Sequence, residues 1–196
     1  MYLQLFFDPS LELERLRTTL DTCGPWSRRN AVRGLDKAKM AALFEACAGA
    51  DALSLDDIVP VTDPLVEVIH SGKNSLPLFN HFEKRFCRPD GDDPPAELWG
   101  YNHQSMSAFT GPGYFVATAD EKTGEIVIDY GRQPPRKPAS WPEIIPNSAR
   151  LGSIVWGGMV DRLRRVTPTV TIGRAYRNGK ATEDYFALCR EEPKTA

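Results

Sequence analysis

The stretch TVTIGRAYRNGKATEDYFALCR, residues 169–190, carries the clearest structural signal in the chain. Apolar and polar residues alternate on both sides of Asn178-Gly179, and a period of two is typical of β-strands with one buried face. Asn-Gly between two such runs favours a type I′ turn, which joins antiparallel strands. The stretch therefore predicts a hairpin with strands over 169–176 and 182–190.

The period of two extends upstream of this hairpin as far as Glu97. It predicts three further strands, over 98–109, 114–119 and 125–130, separated by short turns rich in glycine. The next segment, 132–146, contains five prolines and cannot pair as a central strand. We expect it to run over the surface or to close an end of the sheet, with Trp141 packed back on the fold.

The first third of the chain has helical periodicity instead. Asp8-Pro9 places a capping residue before a proline, and leucines follow at helical spacing, so a helix is predicted from there to Gly24-Pro25. A second helix is predicted from Asp36 to Gly49.

Three segments have weaker patterns. Residues 65–70 favour a short strand, and 75–88 are interpreted as a helix because phenylalanines recur at intervals of three and four, although a strand fits the same run. Residues 153–166 fit either a helix or a strand bent at Gly157-Gly158.

Length and patterning together indicate the fold class. The 196 residues, 41% of them hydrophobic, are typical of a single domain over 1–196 with one core. We expect an α+β fold, with a helical portion over 1–60 packed on an antiparallel sheet formed by 61–196.

Composition argues against several classes of partner. A formal net charge of -2 supplies no field that would attract nucleic acid, and the three arginines within 162–165 are interpreted as a solvated face. No stretch approaches the roughly 18 apolar residues of a membrane span, and residues 1–7 lack the basic start of an export signal. A cytoplasmic protein is expected.

Cofactor and metal motifs are also missing from the sequence. Residues 71–75 lack the upstream glycine of a phosphate-binding loop. Residues 111–113 are followed by a predicted strand, whereas a phosphate-binding loop is followed by a helix. The four cysteines form no CxxC pair, and the spacing of His81, Cys87 and His103 does not place them on one face. We therefore predict no cofactor, no metal and reduced thiols.

The strand that starts at residue 98 supplies the first candidate site. Alternation puts Trp99, Tyr101 and His103 on one face and Asn102 on the other, so both faces carry polar groups. Such a strand lies at a sheet edge or lines a polar cavity, and the sequence leaves both alternatives open.

A second candidate group comes from two other strands. Arg174 and Tyr176 share a face with apolar residues, and a buried guanidinium needs a carboxylate, for which Asp129 is the proposed partner. Tyr130 lies on the apolar face of its strand. We predict Trp99, Tyr101, Tyr130 and Tyr176 as ligand-binding residues, and His103, Asp129 and Arg174 as catalytic residues if the protein is an enzyme.

Two runs near the C-terminus, VWGGMVDRLRRV (155–166) and VTIGRA (170–175), resemble the closing strands of small bacterial lipocalin-like barrels, including GXWXG-type domains. The resemblance covers about the last half of the chain, and the Gly-x-Trp-x-Gly motif itself is not present. It implies a closed antiparallel barrel that holds one small, largely apolar molecule. It assigns no functional residue.

Three functions follow as hypotheses. The first is binding of a small, largely apolar organic molecule in a barrel cavity. The second is a cofactor-independent cyclase, isomerase or lyase that uses the same cavity, with His103 as the base and Arg174 or Tyr176 holding an oxyanion. The third is a protein-interaction module that uses a free sheet edge or the arginines of 162–165. The oligomeric state stays open, and a homodimer is compatible with the sequence.

Overall fold

A computed structural model describes residues 3–8, 10–49, 51–61, 63–77, 80–91, 96–104, 111–149 and 152–192. Its helices are a 3-10 turn at Leu3–Phe6, α1 (Leu13–Thr22), α2 (Pro25–Arg33), α3 (Lys37–Ala46), α4 (Leu55–Ile58) and α5 (Gly152–Trp156). Its strands are β1 (Val68–Asn74), β2 (His81–Cys87), β3 (Leu98–His103), β4 (Tyr114–Asp120), β5 (Glu125–Asp129), β6 (Met159–Arg165), β7 (Val170–Arg177) and β8 (Lys180–Arg190).

Within these ranges, the eight strands form one closed antiparallel barrel. Each strand pairs with the next along the chain, and β1 closes the circle on β8, with Gly72 opposite Leu188. Closure pairs both edges of the sheet. The expected α+β class, with N-terminal helices on an antiparallel barrel, is confirmed.

The hairpin predicted from residues 169–190 is also confirmed. Arg177 pairs with Lys180, so the turn contains only Asn178 and Gly179. Both have positive φ, 50° and 76°, as a type I′ turn requires.

The predicted helix over 75–88 is wrong, because residues 81–87 form β2 between β1 and β3. Phe82 and Phe86 are four residues apart, which places them on one face of a helix and equally on one face of a strand. The pairing with two distant strands decides between these structures. Residues 78 and 79 lie outside the described ranges, as does the predicted continuation of β3 over 105–109.

Two other boundaries differ from expectation. Gly24-Pro25 was expected only to end a helix, yet Pro25 also begins α2, where its missing N–H costs nothing. The segment 153–166 contains both of its alternatives, since α5 ends at Trp156 and β6 starts at Met159. Gly158, with φ of 64°, makes the turn between them.

The N-terminal helices cover the outside of the barrel. Leu16, Met40 and Phe44 form one buried cluster with Ile172 of β7 and Tyr185 of β8. Asp36 caps α3 by accepting a hydrogen bond from the backbone N–H of Lys39 at 2.9 Å. This layer leaves the barrel interior as a separate core.

One end of the barrel is sealed by residues 51–61. Ile58 and Val59 are completely buried in the same cluster as the interior ring of Phe86. Arginines fasten this segment to the strands, because Arg88 donates to the carbonyl of Val59 at 2.9 Å and Arg190 donates to that of Asp57. We call this the closed end.

Glycines make room for aromatic rings inside the barrel. A Cβ on Gly173 would lie 2.3 Å from the Cζ of Phe186, so no other residue fits without moving the ring. Alternating small and large residues is how a small barrel fills its interior. The three such cross-strand pairs are Gly72 with Phe82, Gly100 with Phe115, and Gly173 with Phe186.

Candidate functional site

The end of the barrel opposite the closed end opens into a cavity of about 170 Å³, which we call the mouth cavity. Its wall is largely apolar and aromatic. The apolar side chains of the wall are Leu76, Phe82, Val155, Trp156, Met159, Ala175 and Phe186.

Four polar side chains meet at the floor of this cavity, and we call them the polar cluster: Lys84 of β2, Asn102 of β3, Tyr130 after β5 and Asp161 of β6. The Nζ of Lys84 donates to the Oδ1 of Asn102 at 2.9 Å, to the Oδ2 of Asp161 at 3.0 Å, and to the hydroxyl of Tyr130. Tyr130 in turn donates to the Oδ2 of Asp161 at 3.0 Å. The Nδ2 of Asn102 donates to the Tyr130 hydroxyl at 3.0 Å.

The hydrogen bonds within the polar cluster satisfy nearly all of its donors. An ammonium group has three N–H donors, and Lys84 has an acceptor for each of them. Both bonds that reach Asp161 from the cluster end on Oδ2. A carboxylate can accept about four hydrogen bonds, so Asp161 keeps acceptor capacity for a ligand.

The polar cluster is almost completely withdrawn from solvent. Lys84 is 2% exposed and Asp161 is 4% exposed. Burial lowers the pKa of Lys84, an effect that the nearby carboxylate of Asp161 opposes, and burial raises the pKa of Tyr130 well above its ordinary value. A buried ion pair is weak evidence for stability, whereas ionisable groups with shifted pKa values in a cleft are typical of functional sites.

Aromatic rings surround the ammonium group of Lys84. The rings of Phe115, Tyr130 and Phe186 have their centroids 5.1–5.2 Å from Nζ, and that of Phe82 lies at 5.6 Å. Their faces attract a cation and exclude water. Lys84 is therefore held by three polar contacts within an apolar cage.

Trp156, the last residue of α5, stacks on the ring of Tyr130 with centroids 4.9 Å apart and planes 21° apart. Its indole lies so close to Gly113 that a Cβ there would be 2.5 Å from the ring. Both Trp156 and Tyr130 also border a second cavity of about 280 Å³ on the other side. The stacked pair therefore lines both cavities.

Of the sequence-predicted ligand-binding residues, Tyr130 alone lies in the polar cluster. Trp99 and Tyr101 are on the outer face of β3, where they form a buried layer with Tyr114, Val116 and Trp141. The ring of Trp141 lies 4.9 Å from that of Tyr101, which confirms that the proline-rich segment packs back on the fold. The alternation along β3 was as predicted, but its aromatic face points away from the cavity.

His103 lies on the same outer face as Tyr101 and is exposed at the rim. Its surroundings are a shallow surface depression bordered by Arg33, His81 and Glu83. The structure therefore does not bring His103 together with the polar cluster.

The predicted ion pair between Arg174 and Asp129 is wrong. Arg174 lies on the outer face of β7, with Glu183 at 3.4 Å and Glu45 at 3.6 Å. Asp129 accepts a hydrogen bond from the backbone N–H of Gly131 at 2.7 Å. Asp129 and Arg174 lie on strands that are separated by β6, whereas Glu183 lies on β8, which pairs directly with β7, so Glu183 is the nearer carboxylate.

Tyr176 is also on the outer face, beside Arg162, whose guanidinium lies 5.8 Å from the centre of its ring. Six of the seven predicted site residues therefore lie on the outside of the barrel, and the exception is Tyr130.

Sequence reasoning missed Lys84, Asn102 and Asp161. The signal that could have found them is a polar residue between apolar ones on one face of a strand: Lys84 between Phe82 and Phe86, and Asp161 before Leu163. For Lys84 the signal was hidden because its segment was interpreted as a helix.

Neither metal-binding clusters nor known relatives indicate a function. Among the described residues, no three side chains of the metal-binding types come close enough to hold an ion, and no helix there has the length and apolar character needed to cross a bilayer. The chain matches no protein-family model, and no curated protein is significantly similar to it. The likeness to lipocalin-like barrels therefore concerns the closed barrel fold, and a relationship to GXWXG-type domains stays a prediction.

Proposed function

We propose that the mouth cavity binds one small, mostly apolar and uncharged organic molecule. The observation that carries the proposal is the polar cluster, a set of ionisable groups buried at the floor of an aromatic cavity. Small-molecule sites are typically apolar pockets with a few convergent polar groups that fix the orientation of the ligand.

The cavity volume limits the size of the ligand. Its 170 Å³ is close to the roughly 150 Å³ of an engineered apolar cavity that binds benzene. The proposed ligand therefore has about one ring, or an aliphatic chain of similar volume.

The charge of the site determines the polarity of the ligand. Lys84 and Asp161 form a pair at 3.0 Å and balance each other's charge, and the exposed carboxylate of Asp184 also borders the cavity, so the site carries no excess positive charge. All donors of Lys84 already have acceptors, so a carboxylate ligand would meet no unmatched cation and would lose its hydration. A neutral ligand with a hydroxyl or carbonyl group avoids this cost.

Native mass spectrometry of the freshly purified protein tests the proposal. A bound molecule should accompany the wild type, and the variant Ala175→Trp should lose it. Ala175 lines the cavity next to Asp161, its cross-strand partner, so a tryptophan there would fill the binding space. Tyr176→Trp is the matched control, since it adds bulk at the next position, on the outer face. If no molecule accompanies the wild type, and a panel of neutral monocyclic compounds leaves its melting temperature unchanged, the proposal is refuted.

A second function for the same cavity is cofactor-independent catalysis. Its specific support is the contact between an amine, a phenol and a carboxylate within one cluster, since such groups can transfer protons. Turnover of a bound compound by the wild type, lost in Tyr130→Phe with binding retained, would separate an enzyme from a carrier.

The interaction-module hypothesis has less support. It needs a free sheet edge or unpaired arginines, whereas the barrel is closed and the arginines bind acidic partners. Arg162 and Arg164 both pair with Glu125, at 2.8 and 2.7 Å, and Arg165 pairs with Asp57.

A further inference from the structure

Lys84 combines three features that an amine nucleophile needs. It borders the mouth cavity, it touches a carboxylate that can take up its proton, and it touches a phenol that can protonate an oxygen. A lysine that serves only as a structural cation does not need to border a cavity. Buried lysines next to such partners are suited to Schiff-base chemistry.

We propose that Lys84 forms an imine with the carbonyl carbon of an aldehyde or ketone bound in the mouth cavity. This inference rests on the proposed function, because the carbonyl compound must first occupy that cavity.

The first half of the reaction forms the carbon–nitrogen bond. An ammonium proton of Lys84 moves to the Oδ2 of Asp161, 3.0 Å away, and leaves a lone pair on Nζ. This pair attacks the carbonyl carbon while the π electrons of the C=O bond move to the oxygen. The oxygen takes the hydroxyl proton of Tyr130, and the phenolate recovers a proton from the new N–H group, with which it is in contact. The product is a neutral carbinolamine.

The second half breaks the carbon–oxygen bond. The proton held by Asp161 passes to the carbinolamine hydroxyl, which leaves as water while the nitrogen lone pair forms the C=N bond. One ammonium and one carbonyl have become one protonated imine and one water, and Asp161 is again a carboxylate. No oxidant, reductant or further reactant is needed.

The surroundings accommodate the charge of this product. A protonated imine keeps the positive charge beside Asp161 and within the cage of aromatic rings. Burial lowers the pKa of Lys84, which increases the share of neutral amine.

Reductive trapping tests the inference. The protein is incubated at neutral pH with benzaldehyde, which has one ring and a carbonyl, and with sodium cyanoborohydride, which converts an imine into a stable secondary amine. Peptide mapping should place one benzyl group on Lys84, at a rate at least about tenfold above that of the exposed Lys122, because a carbonyl bound in the mouth cavity reacts with Lys84 at a raised effective concentration. Lys84→Met should abolish this label, and Lys122→Arg should leave it unchanged.

Two further arms retain Lys84 and do not depend on the folding of Lys84→Met. Benzyl alcohol, which has the ring without the carbonyl, should compete with labelling, and Ala175→Trp should block it. Saturable binding of benzaldehyde or benzyl alcohol without a label on Lys84 would overturn the imine and leave the proposed function standing. No binding of either compound, in a protein that also carries no ligand when purified, would overturn both.

Discussion

Removing one partner of the buried pair between Lys84 and Asp161 should destabilise the protein strongly. In Asp161→Asn, the ammonium of Lys84 keeps its apolar surroundings and loses its counter-charge, 3.0 Å away. Breaking a buried pair in this way costs about 3–5 kcal/mol in free energy of unfolding. Lys84→Met should cost a similar amount, because Asp161 is then the buried charge without a partner.

The double variant separates pairing from general damage to the core. With both charges removed, Tyr130 and Asn102 still bond to each other at 3.0 Å, and no charge is left buried. The two single effects should therefore fall short of additivity, with a coupling energy of about 2–3 kcal/mol. The exposed pair of Glu12 and Arg15 is the control, and Glu12→Gln should cost less than about 1 kcal/mol.

Guanidinium chloride unfolding, followed by circular dichroism, measures these four free energies, with unchanged m-values required for the comparison. If Asp161→Asn costs less than about 1 kcal/mol and the coupling is within error of zero, the two groups are not a buried pair in solution and the reasoning about the site fails.

Three other predictions concern the rest of the barrel. Burial lowers the pKa of His70 to about 4 from its ordinary value of 6.5, which it keeps in the unfolded chain. The free energy of unfolding is therefore highest above pH 6.5 and falls by about 3 kcal/mol as the pH drops toward 4. His70→Leu should flatten this slope in unfolding titrations. Gly173→Ala should lower stability by about 1–3 kcal/mol because its Cβ meets the ring of Phe186, whereas Gly91→Ala, at an exposed position with open space around it, should stay within about 0.5 kcal/mol. Burial raises the pKa of Cys87 to about 12, so iodoacetamide at pH 8 should label it only after unfolding, as mass mapping can show; labelling of the native thiol would contradict its burial.

The fold could be predicted from local patterns to the extent that each strand pairs with its neighbour in the chain. The β7–β8 hairpin follows from alternation and from Asn178-Gly179, and β4 and β5 follow in the same way. The helix interpretation of 75–88 failed because the spacing of Phe82 and Phe86 fits two periods, and only the pairing of β2 with β1 and β3 resolves it. Closure of β1 on β8 joins the two ends of the sheet, a contact that no local pattern records.

The site was harder to predict because both faces of several strands are buried. Inside the barrel the strands pack around one core, and outside they pack against helices or the proline-rich segment, so alternation does not identify the inner face. Trp99 and Tyr101 illustrate this, since their aromatic face lies under Trp141. Tyr130 lies on the inner face, as the apolar face that it shares with Ile126 and Ile128 indicated, and its role in binding stays a prediction.

The methyl groups of methionine offer the most direct test of where a ligand binds. Met159 borders the mouth cavity, whereas Met40 is completely buried under the helices on the outside of the barrel. In protein labelled with ¹³C-methyl methionine, titration with benzyl alcohol should move the Met159 signal saturably and leave that of Met40 in place, and Ala175→Trp should abolish the shift. A ligand that binds without moving Met159, or that moves Met40 instead, would show that the mouth of the barrel is not the binding site.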